Sequence, residues 1–426
     1  MSALPVAGAA EGMPATLRTR IVFLVELARR LHQYGTSSPR LEMAVAGSAH
    51  RLGLQAEVWS SPTAIILSFA DLADGEEALA RITQVVRLSP GDVNLARLCE
   101  ADAIADRVIA GELDLRDGFR LLRRLGLRDT RRAQAGVIAG YGLSAASVVA
   151  LLLHSSWVDL ATAAVIGLLI GWITVLSGSR PRLAVASDAI CALVATTVVT
   201  LVSAFVVPLA IKSVVLAALI VLVPGMALTT AVREISSQHL VAGMARMGGA
   251  VSTLLKLTFG TLAAKEICNA LGVHARDFAL PALPGWTDVP ALLIGAFGFA
   301  ILFRAARRDW WVVMGAVVLG YLATRWSGLI AGSIPAAPFG VFLGGLLIGA
   351  LANVYARYAH QPGAVIREPG IILLVPGSTG FRSVSYLMQH DAALGMDTAI
   401  LLVTLLVSLV AGLLFGDLLV SPRRSL

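Results

Sequence analysis

The spacing of apolar positions changes once along this chain, near residue 132. Before that point the pattern is short-ranged and mixed. Ile21, Leu24, Ala28 and Leu31 recur on one face of a helix that Gly35 stops, and Ser38-Pro39 opens a second helix reaching Leu52. Residues 55–60 and 63–69 flank Ser61-Pro62 as a hairpin, residues 82–88 offer a third strand, and helices are predicted over about 92–110 and 115–125. Together these elements make a small α+β domain over residues 17–132.

Past that point polar positions thin out. Apolar runs of about 20 residues, the length that a hydrocarbon core of roughly 30 Å demands, follow one another. They fit near 134–153, 157–176, 184–206, 211–232 and 240–264, then near 288–304, 310–329, 337–358, 368–388 and 395–419. The starts of the second set lie close to 152 residues after those of the first, which divides the membrane part into units over 133–285 and 286–426. An odd number of spans per unit makes the second enter the bilayer from the opposite face. The expected fold class is therefore a polytopic α-helical membrane protein, with ten transmembrane helices as two inverted five-helix repeats behind a small α+β domain.

Composition agrees with this pattern. The chain has 426 residues, 57% hydrophobic and 14% charged, with a mean hydropathy of +0.79, which excludes the soluble globular class. Cys99, Cys191 and Cys268 have neither disulfide nor zinc spacing and read as structural thiols. Residues 1–16 lack the basic start and long apolar core of a signal peptide and read as a disordered tail. The net charge of +7 is carried almost wholly by arginine, clustered beside apolar segments, so nucleic acid is not an expected partner. Sixteen arginines, from Arg120 to Arg424, fall on the side of the N-terminal domain. The opposite loops hold five basic residues: Lys212, Lys265, Arg276, Arg325 and Arg382. By the positive-inside rule both termini and the α+β domain are cytoplasmic. The stretch 116–132 reads equally as an interfacial helix on anionic lipid or as a solvated domain helix.

The strongest chemical signal is a tetrapeptide. Leu222-Val223-Pro224-Gly225 returns as Leu374-Val375-Pro376-Gly377, and the 19-residue spacings Pro224 to Gly243 and Pro376 to Gly395 match. Proline removes a backbone donor and glycine permits an irregular turn, so both helices should break near the bilayer midplane. One half-helix is expected to begin at Met226, with Thr229 and Thr230 adding hydroxyls, and its counterpart at Ser378-Thr379. Their positive ends would face one cavity and suit a small carboxylate. A plain proline kink is the competing reading for one copy, and two copies at equivalent positions favour a site.

Ionisable residues inside the spans leave alternatives open. Lys256 either binds a substrate carboxylate, pairs with an acid or snorkels outward. Asp188 is a candidate proton carrier or a solvated helix end, and Glu234 a gate or, with Arg233, a cytoplasmic cap. His390 is a titratable or merely solvated loop residue. No HExxH, GxSxG or phosphate loop is present, so neither catalytic residues nor cofactor or metal is expected. Ser378 and His390 are the one nucleophile–base pair nearby, and twelve helical residues separate them by about 18 Å.

Residues 31–42 (LHQYGTSSPRLE), 51–68 (RLGLQAEVWSSPTAIILS), the strand end Val86-Arg87-Leu88, and LVPG followed by AVREI resemble the threonine/serine exporter (ThrE) family of bacterial inner-membrane proteins. The resemblance covers nearly the whole chain. It implies a cytoplasmic domain followed by ten spans, and proton-driven export of threonine, serine or related small acids; members split over two polypeptides are associated with dicarboxylates such as succinate. The expected partners are the substrate, protons and membrane lipid, with a homo-oligomer left open. An intramembrane hydrolase and a passive channel are the competing classes.

Overall fold

The computed structural model describes residues 15–72, 81–127, 129–278, 280–330 and 338–422. Most of the expected tail, and Arg128, Arg423 and Arg424 of the basic count, lie outside them. The soluble part begins with α1 (Ala15–Gln33) and α2 (Ser38–Arg51), continues through strands β1 (Leu54–Ser61), β2 (Ala64–Asp71) and β3 (Ile82–Arg87), and ends with α3 (Leu95–Ile109) and α4 (Leu115–Leu125). The strands form an antiparallel meander, with Ser61 opposite Ala64 across the turn that holds Pro62. Alternation along β2 sends Ile65, Leu67 and Phe69 into a core with Phe23, Leu24, Leu27, Leu41 and Leu122. Each such side chain contributes about 1.5–3 kcal/mol when fully buried. Side-chain caps start the last two helices: Asn94 accepts from the Arg97 amide at 3.1 Å and Asp114 from the Arg116 amide at 2.9 Å.

The membrane part opens with α5 (Arg131–Val148), which runs on through a π-helical turn to Leu153. Next come α6 (Trp157–Ser177), α7 (Pro181–Phe205), the short α8 (Ile211–Leu219) and α9 (Gly225–Ser236), and α10 (Leu240–Ala270). A second series follows: α11 (Asp288–Leu302), α12 (Trp310–Ile330), α13 (Pro338–Tyr358), the short α14 (Ala364–Ile371) and α15 (Gly377–Met388), and α16 (Ala392–Leu419). Among the described residues, seven helices are long and apolar enough to cross a membrane. The two runs expected at 211–232 and 368–388 are instead each divided into two short helices. Large apolar side chains such as Val165, Trp172, Val403 and Phe415 stay exposed, as a lipid-facing surface requires.

Several contacts occur twice. Gly260 of α10 packs on Ala189 and Ala192 of α7, and Gly412 of α16, 152 positions later, packs on Phe342 and Leu346 of α13. Gly243 abuts Ile235, and Gly395 abuts Leu387 at the same offset. The soluble part is anchored on two turns of the helical part. The amides of Leu95 and Ala96 donate to the carbonyls of Phe303 (2.9 Å) and Arg304 (3.1 Å), so the start of α3 caps the end of α11. At the α9–α10 turn, the Ser38 amide donates to Glu234 Oε1 at 3.0 Å, and His239 Nε2 lies 3.0 Å from Glu42 Oε2.

Candidate functional site

Both tetrapeptides break their helices, and the two breaks have the same backbone. Pro224 (φ −79°, ψ 43°) precedes α9 and Pro376 (φ −82°, ψ 42°) precedes α15, near the inverse γ-turn. Gly225 N–H donates to Val223 O (2.8 Å) and Gly377 N–H to Val375 O (2.9 Å), and Leu222→Leu219 at 2.8 Å is matched by Leu374→Ile371 at 2.9 Å. The half-helices start one residue earlier than expected, at the glycines, because glycine tolerates the close approach described next. The first-turn amides at Met226 and Ser378 have no acceptor within their own helices.

The two helix starts touch. A Cβ on Gly225 would stand 3.1 Å from the Gly377 Cα, and one on Gly377 would stand 3.1 Å from the Gly225 Cα. Where a cavity between the ends was expected, this conformation has glycine on glycine, flanked by Val223 and Val375. Pro376, Thr379 and Thr229 are buried, while Pro224, Met226, Thr230 and Ser378 are half-buried. Thr229 Oγ1 is buried with no hydrogen-bond partner among the described residues.

Open space lies about one turn away. A cavity of about 570 Å³ sits among α7, α8, α10 and α15, at the end of α10 remote from the soluble part. Phe381, four residues after Gly377, belongs to its lining and is 6% exposed. Thr196, Thr200 and Thr261 supply hydroxyls, and Thr196 Oγ1 is buried with no partner among the described residues. Lys212, Lys265 and Arg382 line it with three cations. Asp277 also lines it, but one of its oxygens accepts from the Ile211 amide at 3.3 Å. The cavity is therefore a largely apolar vestibule whose three cations attract anions and whose wall carries several hydroxyls.

The remaining sequence candidates lie elsewhere. Lys256 Nζ is 3.8 Å from Asp188 Oδ2, so two of them form one pair between α10 and α7, outside the vestibule lining. Glu234 is fully buried and clamped by Arg246 at 2.9 and 3.0 Å, which makes it a tie between α9, α10 and the soluble part rather than a helix-end cap. His390 is exposed in a left-handed turn (φ 63°) beyond α15. Sequence reasoning missed Arg246 and a network at the other end of the bundle. There Arg367, 5% exposed, donates to Asp417 Oδ1 (2.7 Å) and Asn353 Oδ1 (3.1 Å), and Asn353 Nδ2 donates to Asp417 Oδ1 and Val420 O, both at 2.7 Å. The position of Asp417, the one charged residue after Asp397 in α16, was the available signal.

Among the described residues no cluster of three or more His, Cys, Asp or Glu could hold a metal. The architecture defines a class: a polytopic helical membrane protein with an N-terminal α+β unit and two proline-broken helices meeting at glycines. The chain belongs to the threonine/serine exporter (ThrE) family. A model described as "Putative threonine/serine exporter" matches residues 22–268, and one described as "Threonine/Serine exporter, ThrE" matches residues 288–419.

Relatives include pheromone-regulated membrane protein 10 of Debaryomyces hansenii, 24% identical over 388 residues covering 85% of this chain and 36% of the relative. The protein of that name from Candida albicans is 24% identical over 394 residues, 90% of this chain and 34% of its own length. An uncharacterised protein of Schizosaccharomyces pombe is 24% identical over 392 residues, 89% of this chain and 45% of the relative. The chain thus spans half or less of the length of these relatives. No solved structure matches it.

Proposed function

We propose that this chain is a secondary active exporter of small amino acids of the threonine and serine type, driven by the proton gradient. In this reading the seven long helices, α12 and the two broken pairs count as ten spans, arranged as inverted repeats over 133–285 and 286–426. The α+β unit of residues 17–132 then lies in the cytoplasm, below a bacterial inner membrane. The observation that carries the proposal is the reciprocal contact of Gly225 and Gly377 one turn below a cationic vestibule. If the two units are inverted, the touching helix starts bring two positive ends together near the midplane, where a carboxylate is stabilised. Substrate enters the contact when one unit rocks against the other.

A second cargo is favoured by the vestibule itself. Three cations against a single engaged carboxylate suit a dicarboxylate as well as a zwitterion, so short dicarboxylates are the alternative substrate class. An intramembrane hydrolase is disfavoured because Ser378 and His390 stand at opposite ends of α15.

The test is counterflow and efflux in proteoliposomes of purified protein, across threonine, serine and C4 dicarboxylates, with and without an imposed proton gradient. Gradient-driven movement of one class is expected. Flux unaffected by a protonophore would indicate a channel, and no flux above empty vesicles would sink the exporter. Pro224→Ala and Pro376→Ala should each slow transport with insertion intact; normal rates in both would reduce the breaks to kinks.

A further inference from the structure

The vestibule has a sealed counterpart at the other end of the bundle. Val215, Lys265 and Cys268 line the open cavity, and 152 positions after each stand Arg367, Asp417 and Val420. Thr200 also lines the cavity, and Asn353 follows it at 153, the offset that relates Ala189 to Phe342 in the α7 and α13 contacts. These four counterparts are the members of one network, with Arg367 and Asn353 buried and Asp417 and Val420 half-buried: Arg367 holds Asp417 and Asn353, and Asn353 holds Asp417 and the Val420 carbonyl. What is a cavity of about 570 Å³ on one side is filled on the other by one guanidinium and its partners. A residual gap of about 20 Å³ beside Arg367 has room for a single water, and Tyr34 and Arg40 of the soluble part line it too.

We infer that Arg367, Asp417 and Asn353 are the inner gate of the transport cycle, backed by the soluble domain, and that this structure is the state open to the outside and closed within. The inference rests on the exporter reading and names its moving part. A buried ion pair contributes little net stability over an apolar filling, yet breaking it is costly, which suits a two-state latch better than a scaffold. Arg367 Nε is buried without a partner among the described residues, so the guanidinium keeps an unused donor in the closed state. When the halves rock, the space around Arg367 becomes the inner vestibule. Arg367 is then the cation met by a carboxylate arriving from the cytoplasm, as Lys212, Lys265 and Arg382 are on the other side. Asp417 holds its place in the interval.

The equivalence provides a pair of reporters, native Cys268 in the vestibule wall, 3% exposed, and Val420→Cys at its half-buried counterpart, each read as a change in its own rate. Each is placed alone in protein otherwise free of cysteine, purified in detergent and reacted with a small charged methanethiosulfonate, so that neither orientation nor transport enters the readout. Asp417→Asn should accelerate labelling at Val420→Cys by about tenfold and slow it at Cys268, the signature of a population shift. Since this variant leaves Arg367 buried without its counter-ion, the charge-balanced Arg367→Gln/Asp417→Asn protein is measured alongside, with the same expectation. Unchanged rates at both reporters, or acceleration at both, would overturn the gate. Counterflow by the unmodified protein, measured separately, decides the exporter reading whatever the labelling shows.

Discussion

Gly225 and Gly377, 152 residues apart in the chain, approach so closely that a Cβ on either would stand 3.1 Å from the Cα of the other. The contact is reciprocal, and each glycine opens a helix whose preceding proline ends the hydrogen bonding of the helix before it. Gly377→Ala would also bring its methyl to 2.9 Å from Val223 Cγ1. Overpacking of this kind costs about 1–3 kcal/mol. Gly225→Ala and Gly377→Ala should each lower the melting temperature and abolish counterflow, and their effects should not add in the double variant, because both strain the same contact. Fluorescence-detected melting and counterflow rates provide the check.

Neutralising the vestibule should weaken substrate capture without unfolding the protein, since Lys212, Lys265 and Arg382 are exposed. Each Gln replacement should raise the half-saturating concentration about two- to fivefold, the scale of one solvated charge pair. The wild type should show the same loss at roughly 1 M salt, where the Debye length is about 3 Å. Salt-independent half-saturation would remove the vestibule from the substrate path.

Glu234 has no exposed surface, and its partner Arg246 is 20% exposed at the side chain. Glu234→Gln leaves that arginine without its counter-ion, a change that costs roughly 3–5 kcal/mol where both charges are buried and toward the lower end here. It also weakens the acceptor for the Ser38 amide, so cleavage by trypsin near the α1–α2 turn should accelerate. Glu234→Gln with Arg246→Met should recover most of the melting temperature.

His32 introduces a pH dependence into the soluble part. Burial holds its imidazole below the ordinary 6.5, against the Ser89 carbonyl 3.2 Å from Nε2 and a second raising contribution from Pro62; Arg246 pushes further down and Glu234 up. The folded state thus prefers the neutral ring. The stability this ring contributes is complete above pH 6.5 and is lost as pH falls through the depressed folded value. Between pH 7.5 and 5 the melting temperature of wild type should drop more than that of His32→Asn; parallel curves would remove the histidine from the account.

Thiol chemistry should sort by location. Burial pushes the Cys99 thiol up to about 12, so it remains protonated and unreactive at neutral pH. Cys268 is only 3% exposed, but the surface it keeps faces the vestibule. A small alkylating agent at pH 7.5 should modify Cys268 slowly in the folded protein, by way of the vestibule, and Cys99 only after denaturation, as peptide mass mapping would show.

Much of this architecture follows from the chain read residue by residue. Run length sets where helices lie, so α6 and α12, expected from about 157 and 310, begin at those residues. Helix breaking is equally local, because Pro224 and Pro376 remove a donor wherever they sit, and the meander was legible in the alternation and the turn at Pro62. Partnership was not legible. Arg233 and Glu234 are adjacent and read as a cap, yet Glu234 finds Arg246 across a turn and Ser38 196 positions away. Lys256 and Asp188, weighed separately, turn out to be one pair, and Arg367 meets Asp417 and Asn353 from three different helices. The sequence alone determined the apolar runs, the two breaks and their common spacing, since hydrophobic length and backbone chemistry act within a few residues. Only the tertiary structure decided that the breaks touch at glycines, and that a cavity opens at one end of the bundle while Arg367, Asp417 and Asn353 meet at the other. Those outcomes depend on which helix faces meet, and packing, not local propensity, selects them.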